Sequence, residues 1–103
     1  MLSITFTGNL GADAVVKDVK DQKVINFSVA STKHYTNAAG EKKEDTTWID
    51  CSLWRKTDNI SNHLTKGKKV LIVGEPGTSA FMPKDGGEPR ATLQCTVEEI
   101  EFI

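Results

Sequence analysis

Trp48-Ile49-Asp50-Cys51-Ser52-Leu53-Trp54-Arg55-Lys56 is the stretch whose reading decides the fold of this 103-residue chain. Side chains alternate across a β-strand with period two. Ile49, Cys51 and Leu53 therefore share one face, a compact aliphatic set suited to a core. Trp48, Asp50, Ser52, Trp54 and Lys56 share the other, where two indoles are interleaved with polar and charged groups. Leaving an indole in water forgoes about 1.5–3 kcal/mol of burial, so such a face calls for a partner. Stacked nucleobases suit it, because every base has a π-face; so do a second subunit or a loop folded over it. Periodicity alone does not choose among them.

Outward from this strand, short alternating segments dominate. Leu2, Ile4 and Phe6 alternate with Ser3, Thr5 and Thr7, and Gly8 and Gly11 then suit a bend or bulge. A second strand is expected over about Ala14 to Val19, a polar turn at Lys20-Asp21-Gln22-Lys23, and a third strand from Val24 to Ser31. His34 to Thr46, with Asn37, Gly40 and the charged run Glu41 to Asp45, lacks apolar periodicity and reads as a projecting loop. After Lys56 comes a short helix, roughly Asp58 to Thr65, with Ile60 and Leu64 at i and i+4 and Gly67 to end it. Lys69 to Glu75 is a buried strand that Pro76-Gly77 should break. The segment Met82 to Pro89 is rich in turn residues, and the last strand runs from about Arg90 to Ile103. Leu93, Cys95 and Val97 there differ in parity from Ile100 and Phe102, which predicts a bulge near Glu98-Glu99. The expected architecture is all-β, a five-stranded OB-fold barrel with one short helix between its third and fourth strands, forming a single domain over 1–103; a small β-sandwich is the competing architecture.

Composition narrows the function. Thirteen Lys and Arg against 14 Asp and Glu give a net charge of -1, which argues against indiscriminate electrostatic binding. The charge is nonetheless segregated: Arg55, Lys56, Lys66, Lys68 and Lys69 face only Asp58 in their stretch, while Glu98, Glu99 and Glu101 cluster near the end. No apolar run reaches the about 18–20 residues of a membrane helix, and Met1-Leu2-Ser3-Ile4 does not open a secretory signal. Cys51 and Cys95 stand apart from any metal-ligand spacing and read as small buried hydrophobes. His34 and His63 have no cysteine or paired carboxylate at catalytic spacing, so neither an enzyme nor a cofactor is expected.

The order of several motifs along the chain resembles the bacterial single-stranded DNA-binding protein family. They are Gly8-Asn9-Leu10-Gly11-Ala12-Asp13, Asn26-Phe27-Ser28-Val29-Ala30, Gly40-Glu41-Lys42-Lys43 leading to Thr47-Trp48, Leu53-Trp54-Arg55-Lys56, Lys66-Gly67, Val70 to Glu75, Lys84-Asp85-Gly86 and Val97-Glu98-Glu99-Ile100. The resemblance implies an OB-fold that binds single-stranded DNA in replication, recombination and repair, without strong sequence preference. It also implies a homotetramer and a cytoplasmic, nucleoid-associated location. By correspondence, Tyr35, Trp48, Trp54 and Phe81 would stack on bases, Lys33, Lys42, Lys43, Lys56 and Lys66 would lie along phosphates, and Arg90 would be a further single-stranded-DNA-binding residue.

The chain departs from the family pattern in places. Gly77-Thr78-Ser79-Ala80 stands where basic residues are usual, Asp50 replaces a basic residue between the strand aromatics, and Ala91 replaces an aromatic. Fewer phosphate contacts and a shallower salt dependence are expected, at about -0.7 in the logarithmic slope per phosphate. The family usually continues beyond the barrel into a linker and an acidic tail that recruits replication and repair proteins; those partners are expected only if such a tail follows Ile103. A tailless OB-fold interaction module similar to primosomal replication protein N, a dimer, is the alternative reading.

Overall fold

The computed structural model describes residues 2–55, 59–81, 86 and 90–103, with the side chains of Arg55, Asn59, Phe81 and Arg90 outside that description. Six strands are present among the described residues: β1 (Ile4–Leu10), β2 (Val15–Val19), β3 (Gln22–Thr36), β4 (Lys42–Arg55), β5 (Lys69–Phe81) and β6 (Arg90–Phe102). The sheet runs β1-β5-β6-β4-β3-β2, and an added β1–β3 pairing joins Asn9 to Ala30 and Leu10 to Val29. That pairing closes β1, β5, β6, β4 and β3 into a five-membered ring, with β2 as an extra strand on β3. β1 and β2 act as two halves of one bent strand, so the ring is the expected OB barrel.

Closure depends on close backbone approach at Gly8. A Cβ there would collide with the Ala30 carbonyl oxygen and lie 2.6 Å from Val29 Cγ1. The ring interior is filled by the inward residues of each strand, among them Ile25, Phe27 and Val29 on β3, Ile49, Cys51 and Leu53 on β4, and Val70 and Ile72 on β5. β6 adds Cys95 and Val97. Leu64, completely buried, belongs to the same core, and its carbonyl accepts a 2.9 Å hydrogen bond from the Ala14 amide. A cavity left by truncating such a leucine typically costs about 2–5 kcal/mol.

The bulge expected near Glu98-Glu99 is present: Val73 pairs with Glu99 but Gly74 pairs with Val97, leaving Glu98 as the extra residue. Four other expectations need correction. The turn at Lys20 is narrower than four residues, because Val19 already pairs with Gln22; Lys20 takes a φ of 54° to make it. The segment His34 to Thr46 is mostly not a loop. β3 and β4 stay paired out to Thr36 and Lys42, forming a two-stranded ribbon that leaves the barrel. Only the tip at 37–41 turns, held by Asn37 Oδ1 accepting from the Ala39 and Glu41 amides, both at 3.0 Å.

The helix is a five-residue 3₁₀ turn, Asn59–His63, shorter than the span expected from Asp58 to Thr65; Thr57 and Asp58 lie outside the described residues. Lastly, Pro76-Gly77 does not end β5, which pairs with β6 as far as Phe81. β1 covers β5 only up to Gly74, so Pro76 sits where that side of the strand has no neighbour and a missing N–H costs little. Apart from Gly86, the turn-rich segment from Met82 to Pro89 is outside the described residues.

Candidate nucleic-acid interface

The β4 alternation holds throughout. Ile49, Cys51 and Leu53 are buried, whereas Trp48 and Trp54 are 55% and 43% exposed. The register extends this outer face across three strands. Trp48, Asp50, Ser52 and Trp54 lie beside Ala30, Ser28, Asn26 and Val24 of β3, while Gln94 and Thr96 of β6 flank Asp50 and Ser52. The indoles, six residues apart on one strand, are separated by about 20 Å of β-strand. Between them the floor is polar and ordered: Ser28 Oγ donates to Asp50 Oδ1 at 3.1 Å, and Ser52 Oγ donates to Asn26 Oδ1 at 3.1 Å. This floor belongs to a groove of about 470 Å³ bounded on its β2 side by Ala12, Asp13 and Val15. Asp13 Oδ1 in turn accepts the Lys66 amide at 2.8 Å, tying the segment after the 3₁₀ turn to the groove edge.

Trp48 is also positioned from below. A Cβ built on Gly11 would lie 2.6 Å from Trp48 Cζ3 and 2.9 Å from Cη2, so the six-membered ring of the indole lies against the bare glycine backbone. Only a residue without a side chain lets the ring settle there.

The ribbon carries four more of the expected residues. Tyr35 is 45% exposed and lies directly across from Lys43, while Lys33 faces Asp45 and Lys42 faces Thr36. By alternation Lys42 shares the strand face of Trp48, whereas Lys33, Tyr35 and Lys43 occupy the opposite face of the ribbon. His34, Tyr35, Lys42, Lys43 and Glu44 together line a second surface groove of about 560 Å³. Beside it, Lys43 Nζ pairs with Glu41 Oε2 at 2.9 Å, and His34 Nδ1 lies 3.4 Å from Glu44 Oε1. Lys66 is exposed in the turn before β5. Phe81 and Arg90 pair with each other as the last residues of the β5–β6 hairpin arms, and Lys56 lies outside the described residues. Thus Trp48, Trp54 and Lys42 share one face, with Lys66 joined to its rim through Asp13.

Sequence reasoning passed over Gly11, Asn26, Ser28, Ser52 and Gln94 as site residues. Asn26, Ser28 and Ala30 do alternate with Phe27 and Val29, and that pattern marks an outward face of small polar groups. The glycine seat under Trp48 left no signal in the pattern.

Cys51 and Cys95 sit side by side on the parallel β4–β6 pair, pointing inward as buried free thiols. Burial, then the neighbouring Cys95 and Asp50, push the Cys51 thiol up to about 12, and burial likewise raises Cys95. Protonated thiols of this kind are packing groups rather than nucleophiles.

A closed five-stranded barrel of this topology, with two indoles on the outer face of β4, is an OB-fold. Residues 1–103 match the model of the single-strand binding protein family. The chain belongs to that family. Its relatives include single-stranded DNA-binding proteins of Mycobacterium leprae (strain TN), 33% identical over 102 residues, and of Mycolicibacterium smegmatis, 32% identical over 102 residues. Each alignment covers 95% of this chain, and 60% and 61% of the respective relative, so the chain spans about three fifths of the length of these curated relatives. Solved structures share the fold as well. A small single-stranded DNA-binding protein from Streptomyces coelicolor superposes with a TM-score of 0.81 at 19% identity, over 99% of this chain and 94% of that one. A Plasmodium falciparum SSB complex with ssDNA gives 0.75 at 22% identity, over 100% and 95%. Among the described residues no helix is long and apolar enough to cross a membrane.

Proposed function

We propose that this chain binds single-stranded DNA without strong sequence preference and does no chemistry of its own. The observation that carries the reading is the pair of exposed indoles, Trp48 and Trp54, on one outer barrel face in a member of the single-strand binding protein family. Each indole stacks on a base, at about 1–3 kcal/mol per base. Tyr35 and Phe81 extend the aromatic surface, Lys33, Lys42, Lys43, Lys56 and Lys66 contact phosphates, and Arg90 is a further DNA-binding residue. The relatives named above carry the single-stranded DNA-binding name, which disfavours the alternative of an interaction module similar to primosomal replication protein N.

In the cell the protein acts in the cytoplasm at the nucleoid, as a homotetramer, in replication, recombination and repair. Replication and repair proteins join it only where a C-terminal tail exists. Titration with oligo(dT), following tryptophan emission at several salt concentrations, tests the reading. Quenching that saturates and weakens with salt supports it; unchanged emission at low salt overturns it. Light scattering tests the assembly, and a dimer with feeble DNA affinity would return the primosomal alternative.

A further inference from the structure

The polar floor between the two indoles has a chemistry of its own. Among the described residues, those lining this groove include the carboxylates Asp13 and Asp50 and no cation. A phosphate would be repelled there, so a strand bridging Trp48 and Trp54 turns its base edges, not its backbone, toward the floor. Neither indole spans the about 20 Å between them, so the intervening bases meet Asn26, Ser28, Asp50, Ser52 and Gln94 instead of a ring.

Asp50 sets the polarity of that encounter. An ionised carboxylate only accepts hydrogen bonds, with about four acceptor positions, and Ser28 Oγ fills one of them. The Ser28 bond also orients the carboxylate at the exposed centre of the face. What it can take from a base is an N–H hydrogen: cytosine N4, adenine N6 and guanine N2 offer an outlying amine, while uracil and thymine offer only the ring N3–H, flanked on both sides by carbonyl oxygens, with a carbonyl oxygen where cytosine carries its amine. Carboxylate to cytosine N4 is an established pairing chemistry, and the carbonyl in its place sets two acceptors against each other.

We propose that Asp50, held by Ser28, makes this groove a base-selective subsite favouring nucleobases with an exocyclic amino group over thymine and uracil. The inference rests on the single-stranded DNA reading and adds a bias within otherwise permissive binding. Oligo(dC) and oligo(dU) of equal length differ at this edge in the amine and the carbonyl, so they isolate the effect. By tryptophan quenching at fixed salt, the protein should bind oligo(dC) about fivefold more tightly than oligo(dU), the scale of one charge-assisted hydrogen bond at an exposed site. Asp50→Asn, which keeps the shape and adds a donor, should bring the ratio near one, chiefly by improving oligo(dU). Asp50→Ala should also flatten it, by removing the acceptor. A wild-type ratio of one or below, or a ratio that persists in both variants, overturns the proposal while leaving DNA binding intact. If neither oligonucleotide quenches, it is the underlying binding reading that fails.

Discussion

The Trp48 indole rests on Gly11, whose missing side chain is the space that the ring occupies: a Cβ there would fall 2.6 Å from Cζ3. The glycine amide is itself fixed, donating to the Ser28 carbonyl at 3.0 Å, so the ring and not the backbone must yield. Gly11→Ala should therefore tilt Trp48 out of its seat. We expect weaker oligo(dT) binding by up to about tenfold, a fraction of one stacking contact, with a shifted emission maximum in the free protein. Unchanged affinity and emission would show that the seat is not positioning the ring.

The two tryptophans should separate stability from binding. Val24, directly across from Trp54, is buried although it lies on the outer face, whereas Trp48 faces Ala30. Trp54→Ala should lower both DNA affinity and melting temperature, while Trp48→Ala should lower affinity at nearly constant stability. Thermal melts alongside titrations check this; equal melting temperatures for the two variants would contradict the covering role of Trp54.

Glycines on β5 offer an internally controlled test of barrel packing. A Cβ on Gly74 would strike the Thr96 carbonyl oxygen and lie 2.7 Å from Cys95 Sγ, but on Gly77 its nearest neighbour would be Gln94 Oε1 at 4.0 Å. Overpacking of this kind costs about 1–3 kcal/mol, or roughly 5–15 °C in Tm for a domain of this size. Gly74→Ala should show that loss in a calorimetric scan, with Gly77→Ala close to wild type.

Cys51 makes a pH prediction. Its thiol is held protonated up to about pH 12 in the fold, against 9.0 ordinarily. Below pH 9 both folded and unfolded states keep the proton, and the stabilisation is whole. Between pH 9 and 12 only the unfolded state releases it, so stability falls as pH rises. Denaturant melts across that range should show a steeper decline for wild type than for Cys51→Ala. At pH 8 a thiol reagent should leave both cysteines untouched until the chain unfolds.

On the ribbon, Glu41 holds Lys43 at 2.9 Å and competes with any phosphate for that ammonium group. Glu41→Gln should free the lysine, tighten binding at low salt and steepen the logarithmic salt slope by up to about 0.7, one phosphate's worth on a single strand. A slope and affinity identical to wild type would remove Lys43 from the phosphate path.

The barrel and its aromatic face were legible because both depend on one-sided burial. From Ile49 to Leu53 the strand has water on one side and core on the other, and period two records that asymmetry directly. The bulge at Glu98 was visible for the same reason, as a change in which parity is apolar. The ribbon was not, because from Thr32 to Thr46 both faces meet solvent and pairing rests on backbone hydrogen bonds, which leave no hydrophobic alternation. Pro76 misled because its effect depends on whether β1 reaches that far along β5, a matter of tertiary layout. The tight turn at Lys20 was hidden by the absence of the glycine or asparagine that usually occupies a left-handed position.

The ribbon outside the ring has a topological consequence. Its tip joins two strands already secured inside the barrel, from Gln22 to Ala30 and from Trp48 to Arg55, so the covalent link at Ala38-Ala39-Gly40 contributes little to holding the ring shut. A nick by a protease, or new chain ends placed there by circular permutation, should leave the cylinder standing. The arm can vary in length and tip chemistry while the closed structure beneath it stays the same.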